Sequence, residues 1–143
     1  MKATELRIGN YVMYEQTTHI IRTLLNRICT SLWINDTVGD VYTHTFKDIT
    51  PIPITEEWLL KFGFEKLAND GRYGYRYYIA IADYWYVIER DWRKEQSHFF
   101  GIEYTDCPNP KDDHIYHSFT FKLKHIHQLQ NLYFALTGKE LTI

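Results

Sequence analysis

Histidine is the side chain in this sequence most able to do chemistry, and its spacing defines the first candidates. His114-x-x-His117 and His125-x-His127 lie close together, and His98 falls on a neighbouring expected strand. A zinc site needs three or four such ligands converging at about 2.0–2.3 Å. No cysteine or carboxylate stands at a finger or zincin spacing around them. The expectation is therefore exposed or hydrogen-bonded histidines, with no metal and no cofactor. His44-Thr45-Phe46 and His117-Ser118-Phe119-Thr120 approach the paired His-x-Thr or His-x-Ser strands of two-histidine phosphoesterases. In both, the hydroxyl lies one or three residues on, and strand alternation sends it to the face opposite its histidine. Cys29 and Cys107 carry no signature of an activated thiol, and no Gly-x-Ser-x-Gly elbow is present. Seven scattered glycines draw neither a Walker loop nor a dinucleotide fingerprint. These patterns point away from an enzyme.

A second constellation is better suited to binding. Arg72, Tyr75, Arg76 and Tyr77 face Tyr84, Trp85, Tyr86, Arg90 and Trp92 across an expected hairpin. Arginine beside aromatic rings stacks bases and clamps phosphates. The same residue types dominate protein–protein hot spots. Asp83, Glu89, Asp91 and Glu95 offset most of the local positive charge. That favours a compact site for one nucleotide-like ligand, or a protein-binding face, over an open nucleic-acid groove. The competing structural reading is a set of cross-strand aromatic pairs shielded by arginine stems. The expected function is a non-enzymatic binding protein that engages a host or phage protein. The alternative is a small-molecule binder that sequesters a nucleotide or cyclic-nucleotide signal.

The whole composition fits that picture. Sixteen basic and eighteen acidic side chains give a net charge of −2, without the basic excess that duplex nucleic-acid binding needs to neutralise phosphates. Twelve Tyr, eight Phe and four Trp make the chain 17% aromatic, which suits half-buried sheet faces and ligand walls alike. So many rings in 143 residues are also compatible with a closed homo-oligomer. Two distant cysteines build no disulfide framework. Met1-Lys2-Ala3-Thr4-Glu5 is followed by no apolar run of the signal-peptide kind, and no stretch approaches the roughly 18 apolar residues of a membrane span. The expected compartment is the cytoplasm.

The elements that must position these residues read as α+β. Residues 6–50 contain four or five short segments rich in β-branched and aromatic residues, divided by Gly9-Asn10, Asn35-Asp36 and Gly39-Asp40. Their brevity suggests a small SH3-like β-barrel module over residues 1–50. Pro51-Ile52-Pro53-Ile54 is a stiff connector. Thr55 then reads as an N-cap, with Glu56 and Glu57 in the first turn and Gly63 closing a helix of about two turns. Residues 64–67, 73–81, 84–91, 98–104 and 115–123 read as strands, and the short connections require an antiparallel meander. Ile126, Leu129, Leu132, Tyr133 and Leu136 recur at helical spacing before Thr137-Gly138. Residues 51–143 are thus expected to form an antiparallel sheet covered by two short helices, in one compact unit with the first module.

Three segments carry a family resemblance: Glu5-Leu6-Arg7-Ile8-Gly9-Asn10, the run from Pro51-Ile52-Pro53-Ile54 through Thr55-Glu56-Glu57-Trp58 to Phe64, and His127-Gln128-Leu129-Gln130-Asn131 with the following Leu132-Tyr133-Phe134-Ala135-Leu136-Thr137-Gly138. In this order they resemble a family of small proteins of Bacteroidales genomes, their phages and mobile elements, for which no activity is established. The resemblance supplies no catalytic residues. It implies a bacterial cytoplasm and a gene carried by a phage or prophage. Trp58 and Phe62, with Leu129, Leu132 and Leu136, are expected to be scaffold. Gln128, Gln130 and Asn131 are expected at the surface or bonded to a partner.

Overall fold

The computed structural model describes residues 3–25, 28–34, 39–66, 75–81, 84–91, 96–103 and 120–143. They fall into two compact units, Met1–Pro53 with His125–Leu141, and Ile54–Lys124 with Thr142–Ile143.

In the first unit, β1 (Tyr11–Tyr14), β2 (Thr17–Leu24), β3 (Ile28–Trp33) and β4 (Val41–Thr45) form an antiparallel meander in the order β1-β2-β3-β4. Alternation puts Val12, Ile21 and Cys29 on one face, where they pack with Leu6 and Ile49 as the unit's core. A bulge lies between Ile21 and Thr23. It explains why Ile21 and Leu24, three positions apart, both turn toward that core while Arg22 and Thr23 stay exposed. The meander does not close. Among the described residues no ladder joins β4 to β1, and the segment that follows β4 pairs with β1 through the two-way bridge between Met13 and Thr50, each bond 2.9 Å. The closed SH3-like sheet expected for residues 1–50 is thus an open one here, because a single bridge replaces the ladder that closure needs.

The helix α2 (Ile126–Thr137) belongs to this unit and packs against β1, whereas the sequence pattern grouped it with α1 and the second sheet. Its entry is held by His125 N–H donating to Gln128 Oε1 at 3.1 Å, half of a capping box. Its exit is Gly138 at φ 69°. Gln130 and Asn131 are not surface residues awaiting a partner. Gln130 Nε2 donates to the carbonyls of Gly9 (3.1 Å) and Leu141 (3.0 Å), and its Oε1 accepts from Tyr11 N–H (2.9 Å). Asn131 bonds Asn10 Nδ2 at 3.0 Å and the Glu5 carbonyl at 2.9 Å. Arg7 completes the clasp, ion-paired to Glu140 at 2.9 Å with its guanidinium 3.7 Å from the Phe134 ring centre. The first and last resemblance segments are one interlocked scaffold.

The second unit holds α1 (Glu56–Lys61) and an antiparallel sheet ordered β5 (Glu65–Lys66), β6 (Tyr75–Ile81), β7 (Tyr84–Asp91), β8 (Gln96–Glu103) and β9 (Thr120–Leu123). Thr55 Oγ1 accepts from Trp58 N–H, as its N-cap position requires. At the other end Gly63 (φ 81°) donates to Leu60 O and Phe64 to Leu59 O, both at 3.0 Å. That pair of bonds is a Schellman motif. Leu59, Phe62, Phe64, Tyr77, Ile88 and Leu123 are buried. The mixed sheet and helix content is α+β. No helix among the described residues is long and apolar enough to cross a membrane.

Candidate functional site

The chemistry-bearing cluster that the structure assembles lies on the first sheet, on the same face as its core. Register places Tyr14 opposite Thr17, His19 opposite Trp33, Ser31 opposite Tyr42 and Cys29 opposite His44. Toward the core the face is apolar. Beyond Ile21 it turns polar and aromatic, with His19, Ser31 and His44 buried and Tyr14, Thr17, Trp33 and Tyr42 half-buried. A cavity of about 210 Å³ opens there, lined among the described residues by Tyr14, Glu15, Thr17, His19, Trp33 and Tyr42.

Hydrogen bonding fixes the orientation of the buried groups. The Thr17 hydroxyl donates its one hydrogen to the Tyr14 carbonyl at 2.7 Å. Its 2.9 Å contact with His19 Nε2 must then be a bond donated by the imidazole. Burial and the neighbouring His44 hold the His19 pKa below its ordinary value, so its Nδ1 is a bare acceptor and takes the Ser31 hydroxyl hydrogen at 3.0 Å. With that hydrogen used, Ser31 Oγ accepts from His44 Nε2–H at 2.7 Å. Burial lowers the His44 pKa as well. The result is one directional chain, His44 to Ser31 to His19 to Thr17 to the Tyr14 carbonyl. Rings wall it: Tyr14 lies 4.2 Å from His44, Tyr42 5.2 Å from His19 and 6.3 Å from His44, nearly parallel to the latter.

This chain has a serine beside a histidine but not the exposure of a nucleophile. Ser31 is 0% exposed and its hydroxyl is engaged on both sides. The rim, by contrast, is open. Glu15 and Gln16 make the two-residue turn from β1 to β2 with φ of 45° and 66°, the left-handed pair of a type I′ hairpin without its usual Asn-Gly. Glu15 is exposed, and its hydrogen bond and charge raise the pKa of the Tyr14 hydroxyl.

The residues expected to bind ligand belong to the second unit's stretch of chain. Arg72 and Trp92 are outside the described residues. Tyr75 is registered opposite Arg90, Arg76 opposite Glu89, Ile79 opposite Tyr86, Ala80 opposite Trp85 and Ile81 opposite Tyr84, which is the expected antiparallel hairpin of β6 and β7. Arg76 is half-buried, and Tyr77 is buried at 1% exposure with the Lys66 ammonium 5.9 Å from its ring centre.

Of the histidines, His114 and His117 lie outside the described residues and His98 is on β8. His125 and His127 stack at 5.6 Å. No group of three potential metal ligands forms among the described residues. His44 is buried and Thr45 exposed, as alternation required, with the Thr45 hydroxyl on Asp48 instead. Burial pushes the free Cys29 thiol up, which suits an inert core position.

The pocket residues were missed because each is unremarkable alone. Their only signal is the repeated two-residue step, Thr17-x-His19, Ser31-x-Trp33 and Tyr42-x-His44, where apolar side chains would ordinarily alternate. Comparison with protein-family models, with curated proteins and with solved structures finds no match for the chain.

Proposed function

We propose that the protein is a non-enzymatic binding module that engages a protein partner through the aromatic pocket of its first sheet. The supporting observation is the division of labour within that face. Polar groups that could act on a substrate are bonded to one another beneath the surface, while the rings of Tyr14, Trp33 and Tyr42 stay half-open around a cavity. Aromatic side chains give large contact area at small entropic cost, which suits recognition. An accessory factor of the bacterial cytoplasm, carried by a phage or mobile element and acting on a host protein, fits this reading.

The test is a photo-crosslinking amino acid at Gln16, on the exposed rim, in the full chain expressed in a bacterium. A discrete protein adduct that disappears in Trp33→Ala/Tyr42→Ala is expected. An adduct indifferent to that double substitution, or none, rejects the pocket as the docking site.

A second reading places a nucleotide or cyclic nucleotide on the β6–β7 hairpin, supported by the register that sets Tyr75 opposite Arg90. It expects calorimetric binding of a nucleotide that weakens in Arg76→Ala or Arg90→Ala. Flat heats across a nucleotide panel would remove it.

A further inference from the structure

We infer that the pocket on the first sheet takes the cationic end of a basic side chain, lysine or arginine, from a protein partner. This rests on the binding reading above and narrows it to one chemistry. Three strands deliver three rings: Tyr14 from β1, Trp33 from β3 and Tyr42 from β4. Aromatic faces are electronegative and attract a cation within about 6 Å of the ring centre. Among the described lining residues the sole carboxylate is Glu15, and neither lysine nor arginine is present. The turn that carries Glu15 holds it beside the Tyr14 hydroxyl.

The floor does not oppose a cation. His19 has both ring nitrogens engaged, on Thr17 and Ser31, so it offers no spare N–H to an anion. Size narrows the choice further. A cavity of about 210 Å³ has room for one side-chain head group. A nucleotide would bring phosphates to a site whose described charge is negative. An uncharged apolar side chain would fill the rings but leave Glu15 unused.

The experiment is an NMR titration of the full chain with short capped peptides Gly-Lys-Gly and Gly-Arg-Gly. Peptides with norleucine or citrulline at the centre serve as uncharged counterparts. At least one basic peptide should shift Tyr14, Trp33 and Tyr42 saturably, with its uncharged counterpart binding about tenfold more weakly. Glu15→Gln should weaken the basic peptide severalfold and leave the uncharged one unchanged. Trp33→Leu should abolish both, with the Tyr11 amide resonance reporting that the sheet is still folded. Equal binding of charged and uncharged peptides overturns the inference. So does silence from every peptide; if the Gln16 crosslink persists in that case, only the choice of a cation fails. Loss of both signals removes the pocket reading as well.

Discussion

Gln130 on α2 and Tyr11 at the head of β1 are joined by a 2.9 Å hydrogen bond across 119 positions of chain. The same amide spans Gly9 and Leu141 through its two N–H groups, so one fully buried side chain satisfies three backbone groups. Leaving a buried polar group unpaired costs about 1–3 kcal/mol. Gln130→Leu strands all three, and a loss of roughly 3 kcal/mol or more is expected from that range. Against a whole-domain stability of about 5–15 kcal/mol, such a loss is large. Urea unfolding of the variant measures it directly. A midpoint within error of the parent protein would mean that the clasp between the chain's two ends contributes little.

The Glu15-Gln16 turn predicts an exchange of function for stability. Non-glycine residues held at left-handed φ are strained by about 1–2 kcal/mol each, and such strain collects at binding sites. Replacing the pair with Asn-Gly supplies the residues a type I′ turn prefers. Because glycine also loses more entropy on folding, a net gain of about 1 kcal/mol is expected. The same change removes the Glu15 carboxylate and should weaken basic-peptide binding. Thermal unfolding and the peptide titration, run on one sample, test both halves. A destabilised Asn-Gly protein would show that the turn is not strained.

That turn also shows what the sequence hides. Gly63 and Thr55 announce the ends of α1 because helix caps demand particular residue types, and the Tyr-rich alternation of residues 75–81 announces a strand. Glu15-Gln16 carries no such mark, although it makes the tightest hairpin of the first sheet. The bridge that returns the chain to β1 after β4 depends on Thr50 reaching Met13, a long-range contact with no local signature. The pocket depends on cross-strand register. A shift by one residue would send His19 and His44 to the other face, and register comes from the turn and the bulge rather than from any one strand. Gln130 misled for the opposite reason. Its polarity reads as exposure, whereas a glutamine can be buried when all its bonding capacity is met.

The directional chain through Ser31 makes a spectroscopic prediction. At neutral pH both His19 and His44 should be neutral with the proton on Nε2, which long-range ¹H–¹⁵N spectra distinguish from the other tautomer. Ser31→Ala removes the acceptor for His44 and the donor for His19 together. It should change the ¹⁵N shifts of both rings and destabilise by about 1–3 kcal/mol through the two unpaired nitrogens. Opposite tautomers on the two rings in the parent protein would contradict the chain as oriented here.

His127 makes the last prediction, on acid stability. It is 1% exposed, and among the described residues neither ring nitrogen has a hydrogen-bond partner. Burial first, then the charge of His125, lowers its pKa from 6.5 to about 4. A folded-state value below the unfolded one means that the unfolded chain takes up the proton first. Stability should be full above about pH 6.5 and fall as the pH drops toward 4. With about 1.4 kcal/mol per pKa unit, His127 alone carries on the order of 3 kcal/mol across that window, and the lowered His19 and His44 add in the same direction. His127→Leu, of similar volume, removes two unsatisfied nitrogens and one titrating group. It should therefore be at least as stable as the parent at neutral pH and lose markedly less stability at pH 4.5. Urea midpoints from pH 7.5 to 4.5 for both proteins measure the difference. Parallel curves would mean that His127 is solvated or paired in solution, and that the acid sensitivity belongs to the His19–Ser31–His44 chain.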